Sequence, residues 1–259
     1  MPELNKNKIG KQELMRRIGG IEQVFGVRAV QYAGGEANLV KAYDVDTGGG
    51  LEFSVNENKS MDIFRMKYKG INLGFISKAG LHSPYNADQR NTSFLYSQGC
   101  GMLYTAGLAN VGGYCTDGGD EQYGHGRVKN NAACNVAVRG MWIGDEYQIS
   151  LMGEMRESAF FGRNLIFNRK IETCAGTKSI YITDVIENQD FKDDEVMLLY
   201  HLNAGYPLLD EGAEYITSIR DIEPMSENSQ SHLSDHKRMS APIDGVEEDL
   251  YCIRPGSDA

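Results

Sequence analysis

Apolar and polar residues alternate along most of this chain, and the alternation is broken at regular intervals by Gly, Asn or Asp. In "MDIFRMKYKGINLGFIS", Ile63, Phe64, Met66 and Tyr68 alternate with polar partners before a turn at Lys69-Gly70. The stretch "NLVKAYDVDTGGGLEFSVNEN" reads as two strands around a glycine triplet. "NVAVRGMWIGDEYQISLMGEMRES" and "EVMLLYHLNAGY" have the same period-two or buried-strand character. In "LIFNRKIETCAGTKSIYITDVIENQ", two strands flank Ala175-Gly176-Thr177, which predicts a hairpin. The clearest helical pattern is "KQELMRRIGG", which stops at a glycine pair. Strands joined by short turns, without intervening helices, predict an all-β chain built as an antiparallel sandwich or barrel. Residues 1–259 are expected to form a single domain. Within it, 221–248, "DIEPMSENSQSHLSDHKRMSAPIDGVEE", is polar and carries two prolines, so it reads as a loop or linker.

Composition narrows the function classes. A length of 259 residues with 41% hydrophobic and 24% charged residues is an ordinary globular mixture that can bury a sizeable core. The net charge of −10 argues against nucleic acid and against an anionic membrane surface as partners, since both need a basic face. The five cysteines, Cys100, Cys115, Cys134, Cys174 and Cys252, are widely spaced and form no CxxC pair. Free thiols in a reducing compartment are the simpler expectation. The N-terminus, "MPELNKNKIGKQELMRRIGG", has no apolar core of a signal peptide, and no run of about 18 apolar residues occurs. A cytoplasmic, soluble protein is expected. Nothing in the sequence sets an oligomeric state.

Two histidines stand out by context. His201 closes the apolar run Met197-Leu198-Leu199-Tyr200, directly before a Gly-Tyr-Pro turn. It reads either as a core histidine satisfied by a neighbour or as a group held rigidly at a strand end. Asn203 shares its strand parity and serves equally as partner or ligand. His125 lies between glycines in "DGGDEQYGHGRVKNN". Arg127, two residues on, shares a face with it if the segment is extended. The pair reads as a solvated turn or as a set of donors to oxygens. The block 98–131, dense in Gly and Asn, also holds Asn110. Such a run suits a pocket that brings backbone close to a hydroxyl-rich ligand. His232 and His236 are spaced i, i+4, but on a serine-rich segment without a strong helix, so no metal site is assigned. Neither a GxSxG elbow nor a nucleotide-binding glycine motif is present.

The order "GMLYTAGLANVGGYC…DGG…HGRVKN", then "EMRESAFFGRNLIFNRKIET", then "ENQ…MLLYHLNAGYPLLDEGA" resembles an aldose 1-epimerase-like family of unknown function within the galactose mutarotase-like group. The likeness runs from about Gly19 to Gly212. "NKSMDI" at 58–63 is similar to the family's first signature, with Lys59-Ser60 in place of Arg-Gly. The resemblance implies a large antiparallel β-supersandwich. It also implies that sugar anomers are interconverted without a cofactor: a base takes the anomeric proton, an acid protonates the ring oxygen, and the ring opens and recloses. By this resemblance His201 is the ring-oxygen acid, His125 hydrogen-bonds the sugar, and Arg127 and Asn110 bind hydroxyls. The family's base is a glutamate on a late strand. The chain ends at "RPGSDA" before that point, so a C-terminally incomplete sandwich is expected and no base is assigned. The partner implied is a small sugar. The alternative is a non-catalytic carbohydrate-binding or regulatory module on the same scaffold, and a third reading is a sugar lyase or carbon-centre epimerase.

Overall fold

The computed structural model describes residues 9–256; the first eight residues of the polar N-terminal stretch, and the last three of the chain, lie outside it. The described chain divides into two compact units, through Gly205 and from Tyr206 onward.

The first unit opens with a short helix, α1 (Lys11–Met15), within the segment whose composition predicts one. Five antiparallel strands follow in sequence order: β1 (Gly26–Gln31), β2 (Lys41–Asp46), β3 (Leu51–Asn56), β4 (Asp62–Tyr68) and β5 (Ile71–Asn72). Next come β6 (Leu103–Leu108) and a small hairpin of β7 (Cys115–Asp117) and β8 (Asp120–Gln122). A four-stranded antiparallel sheet is built from β9 (Cys134–Ile143), β10 (Glu146–Ser158), β11 (Asn164–Cys174) and β12 (Tyr181–Asn188). Finally β13 (Met197–Leu202) pairs with β6. The β11–β12 connection is the hairpin expected at Ala175-Gly176-Thr177.

The period-two pattern decides which faces meet. On β10, Ile149, Leu151 and Met155 point inward; on β11, Leu165, Phe167 and Ile171 do so. They pack in one cluster with Leu51, Phe53 and Val55 of β3, Ile63 of β4 and Leu103 and Leu108 of β6. The two larger sheets therefore share one core, each fully buried aliphatic or aromatic side chain contributing about 1.5–3 kcal/mol. Strand β6 is buried along its whole length, as its apolar sequence LYTAGL allows. The sheets do not close into a barrel, and the architecture is the antiparallel supersandwich that the resemblance implies.

One inward position breaks the apolar pattern. Arg169 occupies the β11 slot between Phe167 and Ile171 and is 1% exposed. Its guanidinium donates to both oxygens of Asp184, its cross-strand partner on β12, at 2.9 and 2.8 Å. It also donates to Asp62 Oδ1 at 2.7 Å and to the Ser60 carbonyl at 3.0 Å. Asp62 in turn accepts from the backbone N–H and the hydroxyl of Thr105, at 2.8 and 2.6 Å. A buried charge is tolerable only when paired in this way.

The second unit contains β14 (Ile219–Pro224), α2 (Glu227–Ser231) and β15 (Tyr251–Pro255), with β14 and β15 antiparallel. Part of the polar 221–248 segment is thus regular. Ser226 caps α2 through a bond from Ser229 N–H, and the Ser229 hydroxyl accepts from Leu250 N–H at 2.8 Å. His232 Nδ1 lies 3.1 Å from the Asp249 carboxylate and His236 Nδ1 2.7 Å from the Leu233 carbonyl. No described helix is long and apolar enough to cross a membrane.

Candidate functional site

The β6–β13 ladder sets the site. Its register places His201 opposite Tyr104 and Tyr200 opposite Thr105. Successive side chains on a strand point to opposite faces. The Tyr200 hydroxyl accordingly reaches the Asp184 carboxylate at 2.8 Å and joins the Arg169 network. His201 goes to the other face, where its ring centroid lies 6.2 Å from that of Tyr104.

His125 arrives there from a loop. Its backbone sits in the left-handed region, φ 59°, and its N–H donates to the Gly112 carbonyl at 2.7 Å while its own carbonyl accepts from Gly107 N–H at 3.1 Å. Gly126 follows at φ 73°; a Cβ there would fall 1.8 Å from the Gly107 carbonyl oxygen, so this position requires glycine. The loop is thereby clamped onto β6. The His125 and His201 rings meet at 6.3 Å, edge to face, and the Tyr104 ring contacts both, at 5.8 and 6.2 Å. Two residues 76 positions apart thus share one site (201 − 125).

The remaining candidates are placed differently. Asn110 is buried, and its amide donates to the Gly113 and Tyr123 carbonyls at 2.7 and 3.0 Å while its oxygen accepts from Gly112 N–H at 2.9 Å. It staples the loop that carries His125. Asn203 lies just past β13, and its amide donates to the Gly101 carbonyl at 2.8 Å. The extended segment expected to put Arg127 and His125 on one face is not formed: the chain turns left-handed at His125 and helical at Arg127 (φ −96°, ψ −31°). The Arg127 guanidinium lies 3.9 Å over the Tyr123 ring and donates to the Glu121 carbonyl at 3.3 Å.

Three residues that the sequence reading did not single out for the site belong to its surroundings. Phe94 packs against His125, with ring centroids 5.8 Å apart. Lys129, 1% exposed, holds its ammonium 4.1 Å over Phe94 and donates to the Gly124 carbonyl. Tyr104 joins the histidines to an adjoining cavity of about 230 Å³, lined also by Asn56, Lys59, Asp62, Arg65 and His82. Lys59 reaches the Ser97 carbonyl at 3.1 Å.

Burial governs the electrostatics. It pushes the Lys59 ammonium down to about 8, with Asp62 and then Cys100 opposing. It lowers Lys129 to about 8 as well, the Lys59 charge adding to the effect. His125 is held below the usual histidine value by burial, then by the charges of Lys129 and His201, while a backbone contact with Val111 works weakly the other way. Its Nδ1 nonetheless has no partner of good hydrogen-bond geometry. A neutral imidazole at pH 7 follows. Burial also raises the Tyr104 phenol, so it remains a donor. Burial pushes the Asp62 carboxyl up, and Arg169 and Thr105 pull against it. The site can therefore offer several hydrogen-bond donors and two imidazoles side by side, that of His125 neutral.

The two imidazoles meet on an antiparallel supersandwich, the fold shared with galactose mutarotase-like structures. A family model described as Domain of unknown function (DUF4432) matches residues 37–259, and the chain belongs to that family. Among solved structures it is similar to a candidate aldose 1-epimerase from Klebsiella pneumoniae, at 23% identity and a TM-score of 0.82, covering 91% of this chain and 66% of that one. It is also similar to a galactose mutarotase-like protein from Clostridium acetobutylicum, at 13% identity and a TM-score of 0.55, covering 90% of this chain and 78% of that one. The chain therefore spans a little under two thirds of the Klebsiella protein's length. No curated protein matches.

Proposed function

We propose that this protein interconverts the anomers of a small free sugar by acid–base ring opening. His201 protonates the ring oxygen while the anomeric hydroxyl gives its proton to water, and His125 hydrogen-bonds the sugar beside it. The observation that carries this reading is the meeting of the two imidazoles at 6.3 Å around the Tyr104 ring. His201 is exposed on its strand and so open to a ligand, whereas His125 is half-buried and oriented by its backbone. The proton transfers need no cofactor, and histidine has the pKa suited to them. Arg127, Asn110 and Asn203 are proposed as supporting residues. Asn110 acts by fixing the loop, because its amide is spent on carbonyls.

One observation favours a second reading, a sugar-binding module that does not turn over. Asp62, the carboxylate lining the adjoining cavity, is already engaged by Arg169 and Thr105 and is poorly placed to act as the base. NMR exchange spectroscopy on a panel of aldoses separates the two readings. Acceleration of anomer exchange by the full chain, lost in His201→Ala, supports catalysis. Sugar-induced thermal stabilisation without any acceleration supports the binding module.

A further inference from the structure

The cavity beside the histidine pair carries an arrangement that ring opening does not use. Two of its lining side chains hold polar atoms that are buried and without a hydrogen-bond partner, Asn56 Nδ2 and His82 Nδ1, while the Tyr104 hydroxyl has the Gln98 side chain beside it as a donor. Asn56 is 1% exposed and Tyr104 6%. Leaving a buried group unsatisfied costs about 1–3 kcal/mol, so two in one cavity mark a place where a ligand supplies the partners. The Asn56 amide and the Tyr104 phenol are donors. Lys59 adds an ammonium with the Ser97 carbonyl as its one hydrogen-bond acceptor among the described residues, and Arg65 adds a second cation.

Charge points the same way. The lining sets two cations, Lys59 and Arg65, against one carboxylate, Asp62, whose partner Arg169 is shared with Asp184. Glu36 stands 3.9 Å from His82 Nε2 with an exposed side chain and is not part of the lining. The cavity is thus net cationic in a chain of net charge −10. Its volume of about 230 Å³ lies below the ~300–1,000 Å³ of sites for drug-sized ligands, which suits a small, highly oxygenated group.

We propose that this cavity is an oxyanion subsite, in which Lys59, Asn56 and Tyr104 hold the carboxylate or phosphate group of an acidic sugar while the sugar ring extends toward His125 and His201. The placement of the ring rests on the mutarotase reading; the capture of the oxyanion does not. Burial of Lys59 fits the assignment, because an anion restores the charge that burial disfavours.

Titrating the full chain calorimetrically with D-glucose, D-glucuronate and D-glucose 6-phosphate tests the subsite and separates its two sources. At least one anionic sugar is expected to bind about tenfold or more tighter than glucose, the worth of one charge-assisted hydrogen bond. Lys59→Met should bring that ratio to about one, whereas Lys59→Arg, which keeps the cation, should retain a preference. Equal affinities for all three sugars, no binding of any, or an unchanged ratio in a folded Lys59→Met protein overturns the subsite. Anionic preference without anomer exchange of any sugar sinks the mutarotase reading and leaves the subsite standing. Exchange of neutral sugars without anionic preference does the reverse.

Discussion

Replacing Arg169 by Met is the sharpest test of what holds the site in place. The substitution keeps an unbranched stem in the slot between Phe167 and Ile171 and removes the cation. Four hydrogen bonds go with it: two to Asp184, one to Asp62 and one to the Ser60 carbonyl. Both carboxylates stay buried, with side chains 3% and 6% exposed. Removing one partner of a buried ion pair costs about 3–5 kcal/mol. Against a total stability of about 5–15 kcal/mol, that is about a fifth of the fold or more. With a urea m-value near the upper end of ~1–3 kcal/mol/M, the midpoint falls by about 1–1.7 M. Trp142, the single tryptophan, packs against Phe25 and Tyr147 in the same unit and reports the transition by fluorescence. The pH dependence has a definite sign. Burial already raises the Asp62 carboxyl, and losing the Arg169 charge that opposes it raises it further above the unfolded value of about 3.9. The variant then has its full remaining stability below that value and loses more of it as pH rises through the folded pKa. The deficit against the parent protein should therefore be largest at pH 7 and narrow toward pH 4. Adding Asp62→Asn and Asp184→Asn should recover much of the loss at pH 7. A midpoint shift below about 0.3 M, or a deficit that grows on acidification, refutes the account.

Other outcomes follow from the same geometry. His201→Ala should lower anomer exchange by about 10²–10⁴-fold, measured by NMR, while the urea midpoint stays within a few tenths molar, because the side chain is exposed. Gly126→Ala should destabilise the first unit by about 2–5 kcal/mol, since a Cβ meets the Gly107 carbonyl and the left-handed backbone disfavours alanine; an unchanged thermal midpoint refutes the clamp. His125 is depressed below the ordinary histidine value of 6.5, so the unfolded chain binds its proton first on acidification, and stability should fall as pH drops through 6.5. His125→Gln should flatten that slope in denaturation curves. If the oxyanion subsite holds, affinity for an acidic sugar should weaken above pH of about 8, as Lys59 loses its proton among Asp62, Arg65, Cys100, Tyr104, His82 and neighbouring Lys129. Calorimetry across pH 6–10 reads this, and a flat profile contradicts it.

The strands were legible because period two survives in almost every segment, and the hairpin beyond Cys174 because Ala-Gly-Thr interrupts two such runs. The site was legible only in part. His125 and His201 declare themselves by context, but their meeting depends on the β6–β13 register and on a left-handed residue, neither of which local pattern encodes. Arg127 was read on an extended segment, and Gly126 at φ 73° removes that premise. Asn110 reads as a free donor in sequence; its amide is consumed by carbonyls that only the folded loop brings near. Arg169 carried a signal that went unused: a cation at an inward position of the run Leu165, Phe167, Ile171 demands buried anions. Tyr104 and Lys129 had no comparable mark, since a tyrosine in an apolar strand and a lysine in a polar loop are both unremarkable. Ser226 ahead of Glu-Asn-Ser could have flagged α2, but the polar composition around it masked so short a helix.

The staple made by Asn110 separates two tasks along the chain. Everything from Gly113 to Tyr123 is gathered at its base by one amide, and the β7–β8 hairpin beyond is almost wholly solvent-facing. That hairpin is a detachable cassette. Its length and sequence can drift, or be exchanged by design, while the imidazole rooted below it keeps its aim. Sequence change could thus rewrite the hairpin and leave the pairing of His125 with His201 untouched.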